Sequence, residues 1–142
     1  MLVMMWGMTM GKLSEALSRY EASMELAKQL AEETGTVEAR RDLSISYDNV
    51  GNVYEATGKL SEALSRYEAS MELAKQLAEE TRTIESEDDL AVSHYKMGNV
   101  TRGAERQSHY REAYRIWDDL ARQYPENPAY AQRRDMVKQY LN

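Results

Sequence analysis

The sequence predicts an all-α protein, an α-α superhelical solenoid of antiparallel helix pairs with about six helices and a short N-terminal remnant. Three observations carry this. First, the 26-residue stretch from Gly11 to Thr36 returns as Gly58 to Thr83, 47 residues later, and only Gly35 against Arg82 differs between the copies. A fixed period of this length marks a stacked repeat architecture. Second, apolar residues recur at the +3/+4 spacing of a single helical face. Third, only two prolines occur in 142 residues, and the breaks between periodic stretches are so short that sequential helices must pair antiparallel.

Each element follows from its own pattern. Residues 12–33 form the first predicted helix, with Leu13, Ala16, Leu17, Tyr20, Met24, Ala27, Leu30 and Ala31 on one face. Gly11 ahead of it is expected to close a preceding segment, because glycine takes the left-handed cap conformation without strain. Thr34-Gly35-Thr36 breaks the pattern, and Thr36 is the expected N-cap of a second helix over 37–56. Its stripe is Val37, Leu43, Tyr47, Val50 and Tyr54, with Gly51 admitting a close neighbour. Gly58 ends it. The duplicated stretch then gives a third helix over 59–80, with Leu60, Ala63, Leu64, Tyr67, Met71, Ala74, Leu77 and Ala78 facing inward.

Thr83 starts a fourth helix over 84–102, striped by Ile84, Leu90, His94, Met97 and Val100, with Asp88 and Asp89 near its positive end. The period then shortens. Gly51 to Tyr67 spans sixteen residues, whereas Gly98 to Tyr110 spans twelve, so the fourth and fifth helices are expected to meet differently. The fifth, about 106–124, carries Tyr110, Ala113, Tyr114, Trp117, Leu120 and Ala121. Tyr124-Pro125-Glu126-Asn127-Pro128 stops it, and a capping helix over about 129–141 follows with a mixed face. The expected organisation is one domain: a partial repeat to residue 36, a repeat over 37–83, a degenerate repeat over 84–127 and a cap over 128–142.

Composition narrows the function classes. Residues 1–101 hold 10 Lys and Arg against 18 Asp and Glu, giving −8; residues 102–142 hold 8 against 6, giving +2. An acidic body repels phosphate backbones, so no nucleic-acid partner is expected. The apolar start, Met1 to Met10, is too short to span a bilayer, which needs about 20 residues. It also lacks the basic region and cleavage site of a secretory signal. It is expected to pack on the next helix, with a sticky end that makes a homodimer as the alternative. The chain has no cysteine, which fits a cytoplasmic location.

The run Tyr47-Asp-Asn-Val50-Gly51-Asn-Val-Tyr54-Glu-Ala-Thr-Gly58-Lys-Leu60-Ser-Glu-Ala63-Leu64-Ser-Arg-Tyr67 resembles the tetratricopeptide repeat. His94, Met97-Gly98 and Asn99 begin a second match. The usual unit has about 34 residues; a 47-residue period resembles the long-repeat bacterial, kinesin-light-chain-like type. The resemblance implies a non-catalytic interaction module whose first helices line a concave groove for an unidentified protein or peptide. Transferred groove positions are Ile45, Asp48, Asn49, Asn52 and Glu55 on the second helix, then Val92, Tyr95, Lys96, Asn99 and Arg102 on the fourth. Asn52 and Asn99 would hold an extended peptide backbone, since an amide both donates and accepts. They would equally serve as helix-packing residues. Truncating both to alanine is expected to abolish capture and leave the melting temperature nearly unchanged.

Other candidates have plainer readings. His94 stands at a core aromatic position, and His109 lies near the shortened turn. With no cysteine and no His-x-x-x-His spacing, no metal is expected. Asp118 and Asp119 are explained by ion pairs to Arg122 and Arg115 one helical turn away. There is no phosphate loop, nucleophile elbow or dinucleotide fingerprint, so neither enzyme activity nor a cofactor is expected. A self-associating repeat fragment is the alternative to the groove module.

Overall fold

A computed structural model describes residues 9–142. It contains six helices: α1 (Met10–Thr34), α2 (Val37–Ala56), α3 (Leu60–Thr81), α4 (Ile84–Val100), α5 (Gly103–Gln123) and α6 (Pro128–Lys138). No strand occurs among the described residues. The expected packing of Met1 to Met10 falls outside them, except that Met10 opens α1 and is exposed. The chain divides into two compact units, one ending at Leu73 and one running from Ala74 to Asn142. The division falls inside α3 rather than at a predicted repeat boundary.

The helix ends have local causes. Thr9 caps α1 by accepting from the Lys12 amide at 3.3 Å, so Gly11 is the second residue of α1 and does not close a preceding segment. Thr36 caps α2 through the Ala39 amide. Thr83 and Ser86 form a reciprocal capping box at the start of α4. Asn127 caps α6, with Pro128 at its first position. The sole difference between the duplicated stretches, Gly35 against Arg82, falls on the left-handed residue after the helix, with φ 62° and 52° respectively. In both copies the residue's amide bonds the carbonyl four back, on Ala31 or Ala78.

In the first unit, α1 packs on α2 through Leu13 against Val53 and through Met24 against Leu43 and Val50. α2 runs antiparallel to α3: Ser44 meets Ser70 while Gly51 meets Tyr67. Four residues assigned to apolar stripes are instead exposed, namely Leu30, Val37, Leu60 and Ile84. The last three occupy the first position of a helix, where the side chain sits at the end of the packed face.

In the second unit the core is Ala91, Tyr110, Ala113, Ile116, Trp117, Leu120 and Val137, joining α4, α5 and α6. The expectation of a different α4–α5 meeting is corrected here. A Cβ on Gly98 would stand 2.4 Å from Tyr110 Cε1, just as one on Gly51 would stand 2.6 Å from Tyr67 Cε1. The pairing survives because of where the four residues are lost. α3 and α5 each begin seven residues before their tyrosine. Three of the missing residues come off the end of α4 and one off the following connection. Arg106 then covers the shortened end, donating its Nε to the carbonyls of Gly98 and Thr101 at 3.0 and 2.7 Å.

Asp88, expected to serve the helix dipole, has a larger task. It accepts from the Trp117 indole at 2.8 Å and from Arg133 at 2.9 Å to both oxygens. One carboxylate thereby ties α4, α5 and α6. The expected surface pairs Arg115–Asp119 and Arg122–Asp118 are present at 3.5 and 2.9 Å, and Arg134 also reaches Asp118.

Candidate functional site: the α2 and α4 faces

On α2, Asn52 and Glu55 lie one and four residues beyond Gly51, on a half-buried face. Gly51 lets the Tyr67 ring lie against the helix, and its hydroxyl donates to Asn52 Oδ1 at 2.8 Å and Glu55 Oε1 at 2.7 Å. Tyr67 is 1% exposed, and burial followed by the Glu55 bond pushes its phenol well above the ordinary range. Asp48 and Asn49 are half-buried on the same helix, whereas Ile45 is exposed. The face is acidic, with an apolar residue near its N-terminal end.

On α4 the same device recurs. Tyr110 donates its hydroxyl to Asn99 Oδ1 at 2.7 Å across Gly98. Tyr95 is half-buried and makes tilted ring contacts with Tyr110 and Trp117 at 6.1 and 6.3 Å. Val92 packs on the core of the second unit, and Lys96 is half-buried beside them. Arg102 does not share this face. α4 ends at Val100, and Arg102 is the extended residue before α5, with φ −138° and an exposed side chain. The lost turn at the end of α4 is the reason.

The tyrosine bonds change what the asparagines mean. Each Oδ1 is held by a buried hydroxyl, so alanine at Asn99 would take from Tyr110 the acceptor it donates to, a loss worth about 1–3 kcal/mol. Alanine at Asn52 would cost less, because the single Tyr67 hydroxyl proton keeps Glu55 as an acceptor. The expectation that truncation leaves the melting temperature unchanged does not survive this geometry. A signal for it was present in the sequence: glycine followed by asparagine, with a tyrosine on the next helix, occurs in both units.

His94 and His109 also come together, with Nδ1 atoms 3.0 Å apart. One ring therefore carries Nδ1–H while the other offers a lone pair. His94 is buried, and burial first, then the charge of His109, pushes its pKa down to about 4. Burial likewise lowers His109. Beside His94 lies an open cleft of about 450 Å³ whose rim mixes Lys75, Glu79, Arg82 and Arg115. Among the described residues no group of three or more His, Asp or Glu could hold a metal ion. None of the six helices is long and apolar enough, over the described residues, to cross a membrane.

A comparison with protein families matches residues 46–81, the C-terminal half of α2 and all of α3, to the tetratricopeptide repeat. The match falls on the helix pair in which Gly51 seats Tyr67. Helix pairs of this kind generally mediate protein–protein interaction. A search among curated proteins finds no match.

Proposed function

We propose that the chain is a protein-interaction module in which each unit presents a first-helix face to an extended peptide, through Asn52 on α2 in the first unit and, separately, through Asn99 on α4 in the second. The observation that supports this is the tyrosine beneath each asparagine. A side-chain amide clamped at its oxygen has a set orientation, so its NH₂ group is pre-organised at no cost at the moment of binding. Exposed Ile45 on α2, and half-buried Val92 and Tyr95 on α4, would add side-chain contacts beside the amide, and Lys96 would favour an acidic peptide residue. The 47-residue spacing and helices of 20 residues or more in α1 to α3 support the long-repeat, kinesin-light-chain-like subtype.

The test uses substitutions that keep the tyrosine satisfied. Asn52→Asp and Asn99→Asp retain an oxygen acceptor for each hydroxyl and remove the NH₂ donors. Fluorescence polarisation against a library of extended twelve-residue peptides (about 40 Å end to end) should yield binders. The best should weaken at least about tenfold, or 1.4 kcal/mol, in the double aspartate variant, with little change in the helical melt. Unchanged binding in that variant would refute the assignment.

A further inference from the structure

One helix sequence occurs twice in this chain, once covered and once only partly covered, with Tyr20 and Ala27 of the α1 copy packed at one edge against the α1–α2 core. In α3 the stripe Ala63, Tyr67, Ser70, Ala74 and Leu77 is 0–5% exposed throughout. The identical stripe in α1 is Ala16, Tyr20, Ser23, Ala27 and Leu30. There Ser23 is exposed, Leu30 is 49% exposed, and the other three are only half-buried. Beside the stripe Leu26 is 68% exposed, while its copy Leu73 is half-buried and packs in the first unit. The side chains are the same, so the difference is one of coverage.

Within the first unit the structure also shows what coverage this stripe accepts. α2 lies on α3 with Gly51 beneath the Tyr67 ring, where a Cβ would collide at 2.6 Å. Ser44, seven residues earlier and so two turns along the same face, meets Ser70 with the Oγ atoms 2.8 Å apart. Asn52 and Glu55, one and four residues after the glycine, accept from the Tyr67 hydroxyl. Every one of these contacts is made to a residue that α1 repeats.

We infer that the α1 stripe is a second docking surface, distinct from the α2 and α4 faces, and that its occupant is an amphipathic helix of a partner protein built like α2. Such a helix carries a glycine for the Tyr20 ring and a hydroxyl residue seven positions earlier for Ser23. It also carries oxygen acceptors one and four positions later for the Tyr20 hydroxyl. A second copy of this chain is not the occupant, because α2, which carries the pattern, is engaged on Tyr67, and α4, which keeps only its glycine and first acceptor, Gly98 and Asn99, is engaged on Tyr110.

The test uses α2 itself as the probe, a fluorescein-labelled peptide of residues 37–56 added to the full chain. A free helix of this length is marginal in water, so saturable binding should come with a gain of helical circular dichroism. Two substitutions identify the surface. Ser23→Trp blocks the stripe at an exposed position, which leaves the protein's own fold intact. Gly51→Leu in the peptide collides with the Tyr20 ring. Each should weaken binding at least tenfold, while Asn99→Asp in the protein should not. No binding, or binding indifferent to both changes, overturns the inference. So does a chain that sediments as a dimer and becomes monomeric with Ser23→Trp, since a second copy would then be the occupant.

Discussion

Acidification should strike the second unit through its histidine pair. The His94 ring is buried and its Nδ1 sits 3.0 Å from that of His109. A further proton leaves two N–H groups facing each other. The charged groups around the pair are of both signs: Lys75, Arg115 and Glu112 act on His94, and Glu105 and Lys75 on His109. Burial dominates, and the His94 pKa falls from 6.5 to about 4. The folded state thus binds the proton less well than the unfolded chain. The stability present above pH 6.5 is lost as the pH falls from there toward 4. A shift of that size, at about 1.4 kcal/mol per pH unit, sets a ceiling of about 3.4 kcal/mol. Solvent at the ring edge and the shared proton reduce the expected loss to about 2 kcal/mol. Urea unfolding followed by circular dichroism from about pH 7.5 to about pH 4.5 measures it, with His94→Phe as the comparison. Phenylalanine keeps the packing and removes the titration, so its profile should be flatter by about that amount. Parallel profiles, or an NMR titration placing His94 at or above 6.5, would refute the reasoning.

Two stability predictions rest on the backbone. Arg82→Gly should raise stability by about 0.5–1 kcal/mol in thermal or urea melts, because the left-handed conformation strains any residue with a Cβ while glycine gives back part of the gain as unfolded-chain entropy; a loss of stability would contradict it. Gly98→Ala should lose about 1–3 kcal/mol by driving a methyl group into the Tyr110 ring, whereas Gly11→Ala, whose nearest atom is 4.0 Å away, should be neutral or gain up to about 1 kcal/mol. Equal effects at the two glycines would show that ring contact is not what selects Gly98.

What could be seen in the sequence was whatever depends on neighbours along the chain. Thr36 as a cap, the break at Gly58 and the stop at Pro125 to Pro128 are local signals, and the helices begin and end near them. The antiparallel pairing of α2 with α3 was legible too, from the short break between them, whereas the shortened period misled about how α4 meets α5. Burial was not. Leu30 and Leu77 sit in identical surroundings in the sequence, yet one is 49% and the other 5% exposed, since coverage is a property of tertiary context. The same holds for Asp88, whose partners lie 29 and 45 residues on with no periodic cue to connect them. It holds for His94 and His109, and at the site for the asparagine oxygens, where the sequence left peptide contact and helix packing as equal readings and the tyrosine donors show the packing role.

The four-residue contraction around Thr101 implies a rule of permitted lengths. A helix advances about 100° per residue, so removing one residue from the end of α4, with the connection unchanged, would swing the path into α5 and turn Tyr110 away from Gly98. The loss of three residues from α4 comes within about 60° of a full turn, and the connection, shorter by one residue, takes up the difference so that the chain keeps nearly its former heading. The junction therefore behaves like a ratchet with one-turn teeth, and viable variants of it should differ by about zero, four or seven residues rather than by one or two. An engineered insertion of four residues ahead of Thr101 should leave the Tyr110 seat intact, and an insertion of two should unseat it.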